Sequence, residues 1–314
     1  PATANLMAKL ACGIADDMLT TTLLATKAPI LLAPAMNTGM WTAEATQANL
    51  RTLQARGVHF VGPESGFLAC GDTGAGRMSE PAQIVEAAEK LLHPRRDLEG
   101  LRVLVTAGPT MERIDPVRYL TNDSSGKMGY AIAAAAQARG ASVTLVSGPV
   151  HLTAPAGVSV VPVMSTQNLY DAMMTHCASQ DVIIQAAAPA DYRPAVMAPE
   201  KLKKQDGQPF VLTLVENPDV AKAVGEQKKP GQILVGFAAE TEHLLENAQK
   251  KLDKKHLDMI VANDVTQAGA GFGVDTNIVT LITHQGMKSL PLLSKTEVAD
   301  RILDQVAVLR AQTH

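Results

Sequence analysis

The stretch LRVLVTAGPTMERIDPVRYLTNDSSGKMG, Leu101 to Gly129, decides the fold. It opens on an apolar run, Leu101–Val105, preceded by Gly100. Ala107, Gly108, Pro109 and Thr110 break the run. The small, hydroxylic segment TNDSSGK comes next, and a helical pattern starts at Gly126. Apolar run, small-residue loop and helix start together predict a β-turn-α unit. Such a unit offers backbone N–H groups and a helix N-terminus, which suit an anion. The stretch lacks the Gly-x4-Gly-Lys-Ser/Thr spacing of a P-loop and the Gly-x-Gly-x-x-Gly fingerprint, so a plain nicotinamide-type Rossmann dehydrogenase is disfavoured. From these residues alone, an anion-binding turn and an ordinary polar βα loop read the same way.

Downstream, Met128–Arg139 is predicted to be a helix ending at Gly140, and Ser142–Ser147 and Val158–Val163 strands. Ser165–Ser179 reads as a helix with Ser165 as its N-cap, and Asp181–Ala186 as a strand. Phe210–Val215, Ile233–Phe237 and Met259–Ala262 are further strand candidates, and Glu242–Lys255 is helical. Asn277–Thr283 and Met287–Leu290 resemble a hairpin, and the last helix runs from Ser294 to Ala311. Strands alternating with helices predict a parallel, doubly wound sheet. Ligands in such sheets bind outside the carboxyl ends of the strands. TNDSSGK, PADYRP, FAAET and ANDV all follow strands and should gather on one rim.

Upstream, Ala4–Leu24 reads as a helix or a helix pair broken at Gly13. Pro29–Ala33 and Val58–Val61 read as strands, and Trp41–Arg56 and Pro81–Leu92 as helices. Gly62–Met78 reads as a glycine-rich loop with Cys70 in its middle. The charged segment HPRRDLEG marks a boundary, giving one domain at 1–93, a linker at 94–100 and a second domain at 101–314. The 314 residues are enough for about two domains. The net charge of −3 gives no electrostatic reason to expect nucleic acid or a membrane surface. Cys12, Cys70 and Cys177 are widely spaced and show no metal spacing, which fits a reduced, cytoplasmic setting. No apolar run reaches the ~18 residues that span a bilayer. The chain opens at Pro1 in what reads as the middle of a domain, so a fragment or trimmed product is expected.

Several residue groups suit chemistry. Lys201 and Lys203 in EKLKK are two apart and share a side of an extended loop; with Lys204 they suit a triphosphate, as a solvated charged loop also would look. Lys251 and Lys255, four apart, share a helix face. Asn122 can donate to an oxygen on which charge develops, or serve an Asx turn. Asp191 and Glu240 near strand ends suit Mg²⁺ directly or through water, or cap helices. In the first domain, Asn37 follows a strand in PAMNTGMW. Cys70, in ACGDTGAGRM, sits where a thiol can move over a ligand and donate a proton; a lone cysteine is also a common small filler.

PATAN, PAMNTGMW and ACGDTGAGRM resemble the signature segments of flavin-dependent cysteine decarboxylases. VTAGPTMERIDPVRYLTNDSSGKMG, AAPADYRP, EKLKK, NPD, GFAAET and AND resemble phosphopantothenate–cysteine ligase. Their order resembles the bacterial bifunctional family that joins phosphopantothenoylcysteine decarboxylase to that ligase. The resemblance covers essentially the whole chain. It implies an incomplete flavodoxin-like flavin-decarboxylase domain followed by a Rossmann-like, doubly wound ligase domain. It implies that 4′-phosphopantothenate is activated by CTP with Mg²⁺ to an acyl-cytidylate, which cysteine then attacks. Lys201 would sit on the triphosphate and Asn122 would stabilise the acyl-cytidylate or the oxyanion. Ala186, Ala187, Asp191, Phe237, Lys251 and Lys255 would line the nucleotide site, with Pro218, Asp219, Val220 and Ala221 at a helix start. Arg118 would face the substrate, across a dimer interface of ligase domains.

In the decarboxylase half the resemblance implies FMN, with Asn37 holding the substrate and Cys70 donating a proton. Pro1, Ala2, Thr3, Ala4 and Asn5 would lie near the flavin. The family's flavin-binding βα turn and active-site histidine lie upstream of PATAN, so FMN binding and decarboxylation are expected to be lost if Pro1 is the true start. Two other readings compete: a flavoprotein decarboxylase active once that segment is supplied, and a non-catalytic regulatory subunit resembling halotolerance-type flavoproteins.

Overall fold

The computed structural model describes residues 1–67, 71, 73–92, 95–203, 207, 210–240, 250–264, 271 and 273–313. They form two units, Pro1–Arg95 and Arg96–His314.

In the first unit α1 (Ala4–Cys12) and α2 (Met18–Ala25) are separated at Gly13, which is left-handed at φ 71° and C-caps α1. Strand β1 (Leu31–Leu32) pairs in parallel with β2 (His59–Phe60). Between them lie α3 (Thr38–Thr42) and α4 (Glu44–Ala55). The single helix expected over Trp41–Arg56 is therefore two. Asn37 starts α3 early, because its side chain accepts from the Gly39 N–H at 2.7 Å, and Ala43 at ψ 134° interrupts the helical path. The expected glycine loop over Gly62–Met78 is a hairpin of β3 (Glu64–Phe67) and β4 (Thr73–Arg77). Its glycines hid the strand period and serve close approach. A Cβ on Gly76 would lie 2.2 Å from the Met36 carbonyl, and the Met36 N–H donates to the Gly76 carbonyl at 3.0 Å. Helix α5 (Pro81–Leu92) follows. The buried cluster is Ala2, Met7, Ala11, Leu32 and Leu53.

The second unit is built on an eight-stranded sheet, ordered β17-β16-β14-β13-β10-β5-β8-β9. Six strands are parallel: β5 (Arg102–Ala107), β8 (Ser142–Ser147), β9 (Ser159–Pro162), β10 (Val182–Gln185), β13 (Ile233–Glu240) and β14 (Met259–Asp264). The hairpin of β16 (Val279–Thr283) and β17 (Gly286–Ser289) adds an antiparallel edge. Side chains alternate across β5. Val103, Val105 and Ala107 join one apolar layer with α6 (Lys127–Ala138) and α10 (Lys295–Thr313). Leu104 joins the other with α7 (Thr166–His176), α8 (Val220–Glu226) and α9, the helical stretch at 250–254. A Cβ on Gly129 would meet the Ala107 Cβ at 2.5 Å and the Thr106 carbonyl at 2.7 Å, so this glycine lets α6 press onto β5.

Two short hairpins stand outside the sheet. One, β6 (Met111–Arg113) with β7 (Tyr119–Thr121), lies within the stretch read as loop after β5. The other pairs β11 (Tyr192–Pro194) with β12 (Leu214–Glu216). The strand expected at Phe210–Val215 is thus mostly coil that feeds β12; Phe210 and Val211 are exposed, and apolarity here does not mark a core. A last small pair is β15 (Thr276–Asn277) with β18 (Leu293–Ser294). Ser165 N-caps α7 as expected.

Candidate active site

β5, β10, β13 and β14 run parallel and end at one edge of the sheet. The turn that follows β10 is held from below by buried hydroxyls. The Ala187 N–H donates to Thr106 Oγ1 at 2.9 Å and the Ala190 N–H to Thr110 Oγ1 at 2.9 Å. The Ala188 N–H donates to the Gly108 carbonyl at 2.9 Å. Thr110 Oγ1 lies 2.9 Å from Thr166 Oγ1, and Glu112 accepts from the Thr166 N–H at 2.8 Å. Asn217 Nδ2 donates to the Ala190 carbonyl at 2.9 Å. These bonds fix the backbone of the turn, and the Asp191 side chain at its outer end stays exposed.

A cavity of about 430 Å³ opens at this edge. Its wall brings together Ala187, Asp191, Pro218, Asp219, Val220, Ala221, Phe237, Lys251 and Lys255. A second cavity, of about 320 Å³, shares Ala187, Pro189, Asp191, Phe237 and Lys251 with the first and adds Ala186. Their volumes are those of small-molecule sites. Asp219 N-caps α8 through the Lys222 N–H at 3.0 Å and pairs with Lys255 Nζ at 3.0 Å. Burial pushes the Asp219 carboxyl up, but these donors hold it below the usual carboxylate range.

The second cavity holds cations that the sequence did not single out. Lys127 and Lys295 line it together with Ser124, Ser125, Gly126, Asn263 and Asn277. Lys127 Nζ donates to the Gly273 carbonyl at 2.9 Å and to Asp275 at 2.7 Å. Lys295 Nζ donates to the carbonyls of Val274 at 2.6 Å and Gly271 at 3.1 Å. Lys295 is only 6% exposed; burial and neighbouring Lys127 lower its pKa, with Asp275 opposing. Asn263 is buried, and its Oδ1 has no partner among the described residues. Lys127 closes the segment TNDSSGK and Asn263 lies in ANDV. Nothing local marked Lys295, which reaches the site only through the packing of α10.

Other expected residues sit elsewhere. Asn122 Nδ2 donates to the carbonyls of Ala188 at 3.2 Å and Pro189 at 3.1 Å, so the amide is fixed over the turn. Lys201 is exposed and lies in neither cavity wall. Its segment is instead tied to the β6–β7 turn that carries Arg118, where Arg118 Nη2 donates to the Leu202 carbonyl. Lys204 and Cys70 lie outside the described residues, as does the side chain of Glu240. No cluster of three His, Cys, Asp or Glu side chains suits a metal among the described residues.

In the first unit Asn37 caps α3, and β4 packs beside it through Gly74 and Gly76. Ala2 bridges to Pro34, with its N–H donating to the Ala33 carbonyl at 2.7 Å. Thr3 caps α1 through the Leu6 N–H at 3.2 Å. Thr38 Oγ1 is buried without a partner among the described residues.

Comparison with known proteins agrees with these two units. A flavoprotein family model matches residues 1–93, and the model of the DNA/pantothenate metabolism flavoprotein C-terminal domain matches residues 98–309. The coenzyme A biosynthesis bifunctional protein CoaBC of Bacillus subtilis is 50% identical over 317 residues, covering 100% of this chain and 78% of its own length. The chain belongs to the CoaBC family. The CoaBC protein of Vibrio vulnificus is 49% identical over 310 residues, 98% of this chain and 77% of its own. The crystal structure of the C-terminal domain of a CoaBC protein is 45% identical, with a TM-score of 0.60, over 69% of this chain and 99% of that domain. CoaBC proteins thus share both units and the sheet whose carboxyl edge carries the two cavities. No helix among the described residues is long and apolar enough to cross a membrane.

Proposed function

We propose that the second unit joins cysteine to 4′-phosphopantothenate at the expense of CTP, and that the first unit serves the FMN-dependent decarboxylation of 4′-phosphopantothenoylcysteine to 4′-phosphopantetheine. The observation that carries the ligase reading is the pair of adjoining cavities with cations on both sides of Asp191 and Phe237. A carboxylate is a poor electrophile until it carries a good leaving group. Its oxygen attacks the α-phosphorus of CTP and pyrophosphate leaves. The cysteine amine then attacks the acyl carbon and CMP leaves. Both substrates are anions, so their approach needs cations. Lys251 and Lys255 supply them in one cavity, Lys127 and Lys295 in the other, and Lys201 approaches the triphosphate from outside. Asn122, fixed by the Ala188 and Pro189 carbonyls, stabilises the acyl-cytidylate or the oxyanion beside it.

Mg²⁺ fits this site as an ion carried by the phosphates, with Asp191 as a carboxylate at the shared wall. In the first unit the unpartnered Thr38 hydroxyl beside Asn37 supports a hydrogen-bonding ligand there. FMN would supply a two-electron acceptor for the substrate thiol, held along Pro1–Asn5. The exposed apolar side chains of the β11–β12 arm, among them Val196, Phe210 and Val211, support association of ligase units as dimers. The setting is the cytoplasm, as for a reduced-thiol biosynthetic enzyme.

Pyrophosphate release with CTP, Mg²⁺, 4′-phosphopantothenate and cysteine tests the reading, with an absorption scan for flavin on the same sample. Release should require both CTP and phosphopantothenate. Lys201→Gln should block it, and Asn122→Asp should permit activation but slow final product. Unchanged release in Lys201→Gln, or unchanged product formation in Asn122→Asp, removes that residue from its role. Flavin absorption without any release moves the function to the first unit.

A further inference from the structure

Asp115 has none of the roles above, yet it joins two segments that do. Its side chain is fully buried. Oδ1 accepts from the N–H groups of Val117 and Arg118, both at 2.8 Å, and so shapes the β6–β7 turn. Oδ2 faces the other way. It accepts from Arg118 Nε at 3.0 Å and from the Leu202 N–H at 3.1 Å, and Arg118 Nη2 lies 2.7 Å away. The Leu202 carbonyl in turn accepts from Arg118, and the Ala198 N–H donates to the Ile114 carbonyl at 2.9 Å. The segment from Ala198 to Leu202 is therefore docked on the turn by polar bonds, with one carboxylate at their centre.

We propose that Asp115 is a positioning residue for the ligation: it holds Arg118 and the Lys201 segment in fixed register, so that the groups facing the two substrates move as one piece. The inference rests on the roles proposed above for Arg118 and Lys201. A carboxylate is needed because donors approach both of its oxygens. Burial would raise its pKa, but the N–H groups of Val117, Leu202 and Arg118 and the Arg118 guanidinium bring it to about 2. The tie is therefore ionised throughout the working range of the enzyme.

The two oxygens do separate jobs, which gives a selective test. In Asp115→Asn the remaining carbonyl oxygen can keep the turn, while the amide nitrogen then faces the Leu202 N–H and the Arg118 guanidinium, donor against donor. Hydrogen bonds to charged groups are worth about 1.5–3 kcal/mol, which corresponds to roughly 10- to 100-fold. In the full chain, the Leu202 amide should exchange with deuterium roughly 10- to 100-fold faster, with Val117 and Arg118 unchanged. The turnover of CTP-dependent pyrophosphate release should fall by about tenfold or more while equilibrium CTP binding holds. Leu202→Pro removes the same donor from the other side. It should reproduce the loss of turnover with CTP binding intact, and the double variant should be no slower than either single one.

Unchanged exchange at Leu202 overturns the tie. Faster exchange with normal turnover overturns its role in positioning. A uniform rise in exchange across the β6–β7 turn makes Asp115 a folding residue only. If the unaltered chain releases no pyrophosphate, the ligase reading fails and the positioning role fails with it, while the exchange measurement still decides whether the tie exists.

Discussion

The two units are built at different depths. In Pro1–Arg95 the buried cluster is Ala2, Met7, Ala11, Leu32 and Leu53, beside a two-stranded sheet. In Arg96–His314 a sheet of eight strands is covered on both faces, and β5 alone sends Val103 and Val105 to one layer and Leu104 to the other. The difference matters for chemistry. A rim is only as fixed as the sheet beneath it, and the buried threonines that pin the turn after β10 depend on strands held from both sides. The motifs of the first unit rest on glycine contacts and helix caps.

The largest expected effect separates the two cores. Leu104→Ala in β5 should cost about 2–5 kcal/mol, because neighbours on a close-packed sheet collapse little into the space left. Leu53→Ala should fall at the low end of that range, since its neighbours Leu6, Leu10 and Leu50 are only partly buried and can move. Urea unfolding of the two variants checks this, and equal losses would break the contrast.

A smaller effect concerns one arginine in each unit. Arg139 is 5% exposed and binds Asp97 at 2.6 and 2.9 Å and Asp304 at 3.0 Å. Arg56 donates from Nη1 to the Ala11 carbonyl at 2.8 Å. Arg139→Met should cost about 1.5–3 kcal/mol, the range for hydrogen bonds to charged groups, and Arg56→Met about 0.5–1.5 kcal/mol. Thermal melts of both variants read this directly. A larger loss for Arg56→Met would show that the first unit depends more on polar clamps than its burial suggests.

This contrast also marks what the sequence could reveal. Apolar runs that become central strands, such as Val103–Val105 and Val182–Ile184, announced themselves because both faces are buried. The β16–β17 hairpin and the Ser165 cap were legible from local chemistry. Most of the residues expected around the nucleotide do meet in the two cavities: Ala186, Ala187 and Asp191 follow the parallel strand β10, and Phe237 lies in the parallel strand β13. What escaped reading depends on distant packing. The β3–β4 hairpin is written in glycines chosen for contact with Met36 and Thr38, and they erase the strand period. Lys295 enters the second cavity only because α10 returns beneath α6. Asp115 looks like an ordinary turn aspartate until Leu202 arrives from a later segment.

The smallest expected effect is the most discriminating, because it sets one capping box of each unit against the other. In the second unit Ser165 Oγ accepts from the Asn168 N–H and Asn168 Oδ1 from the Ser165 N–H, both at 3.2 Å. In the first, Asp17 Oδ1 accepts from the Thr20 N–H at 2.8 Å and Thr20 Oγ1 from the Asp17 N–H at 3.2 Å. Ser165→Ala should cost about 1 kcal/mol at any pH, since no charge takes part. Asp17 differs in being ionised. Its carboxyl lies below the usual range, held there first by the Thr20 N–H and hydroxyl and further by Lys9. A depressed folded pKa gives stability that is complete above the unfolded value near 3.8 and disappears as pH falls through the folded one. The penalty of Asp17→Ala should thus be present at neutral pH and shrink in acid, whereas that of Ser165→Ala should stay level. Melting curves of both variants across that range test it. A pH-independent loss for Asp17→Ala would mean that its cap works through geometry alone, and the two boxes would then be equivalent.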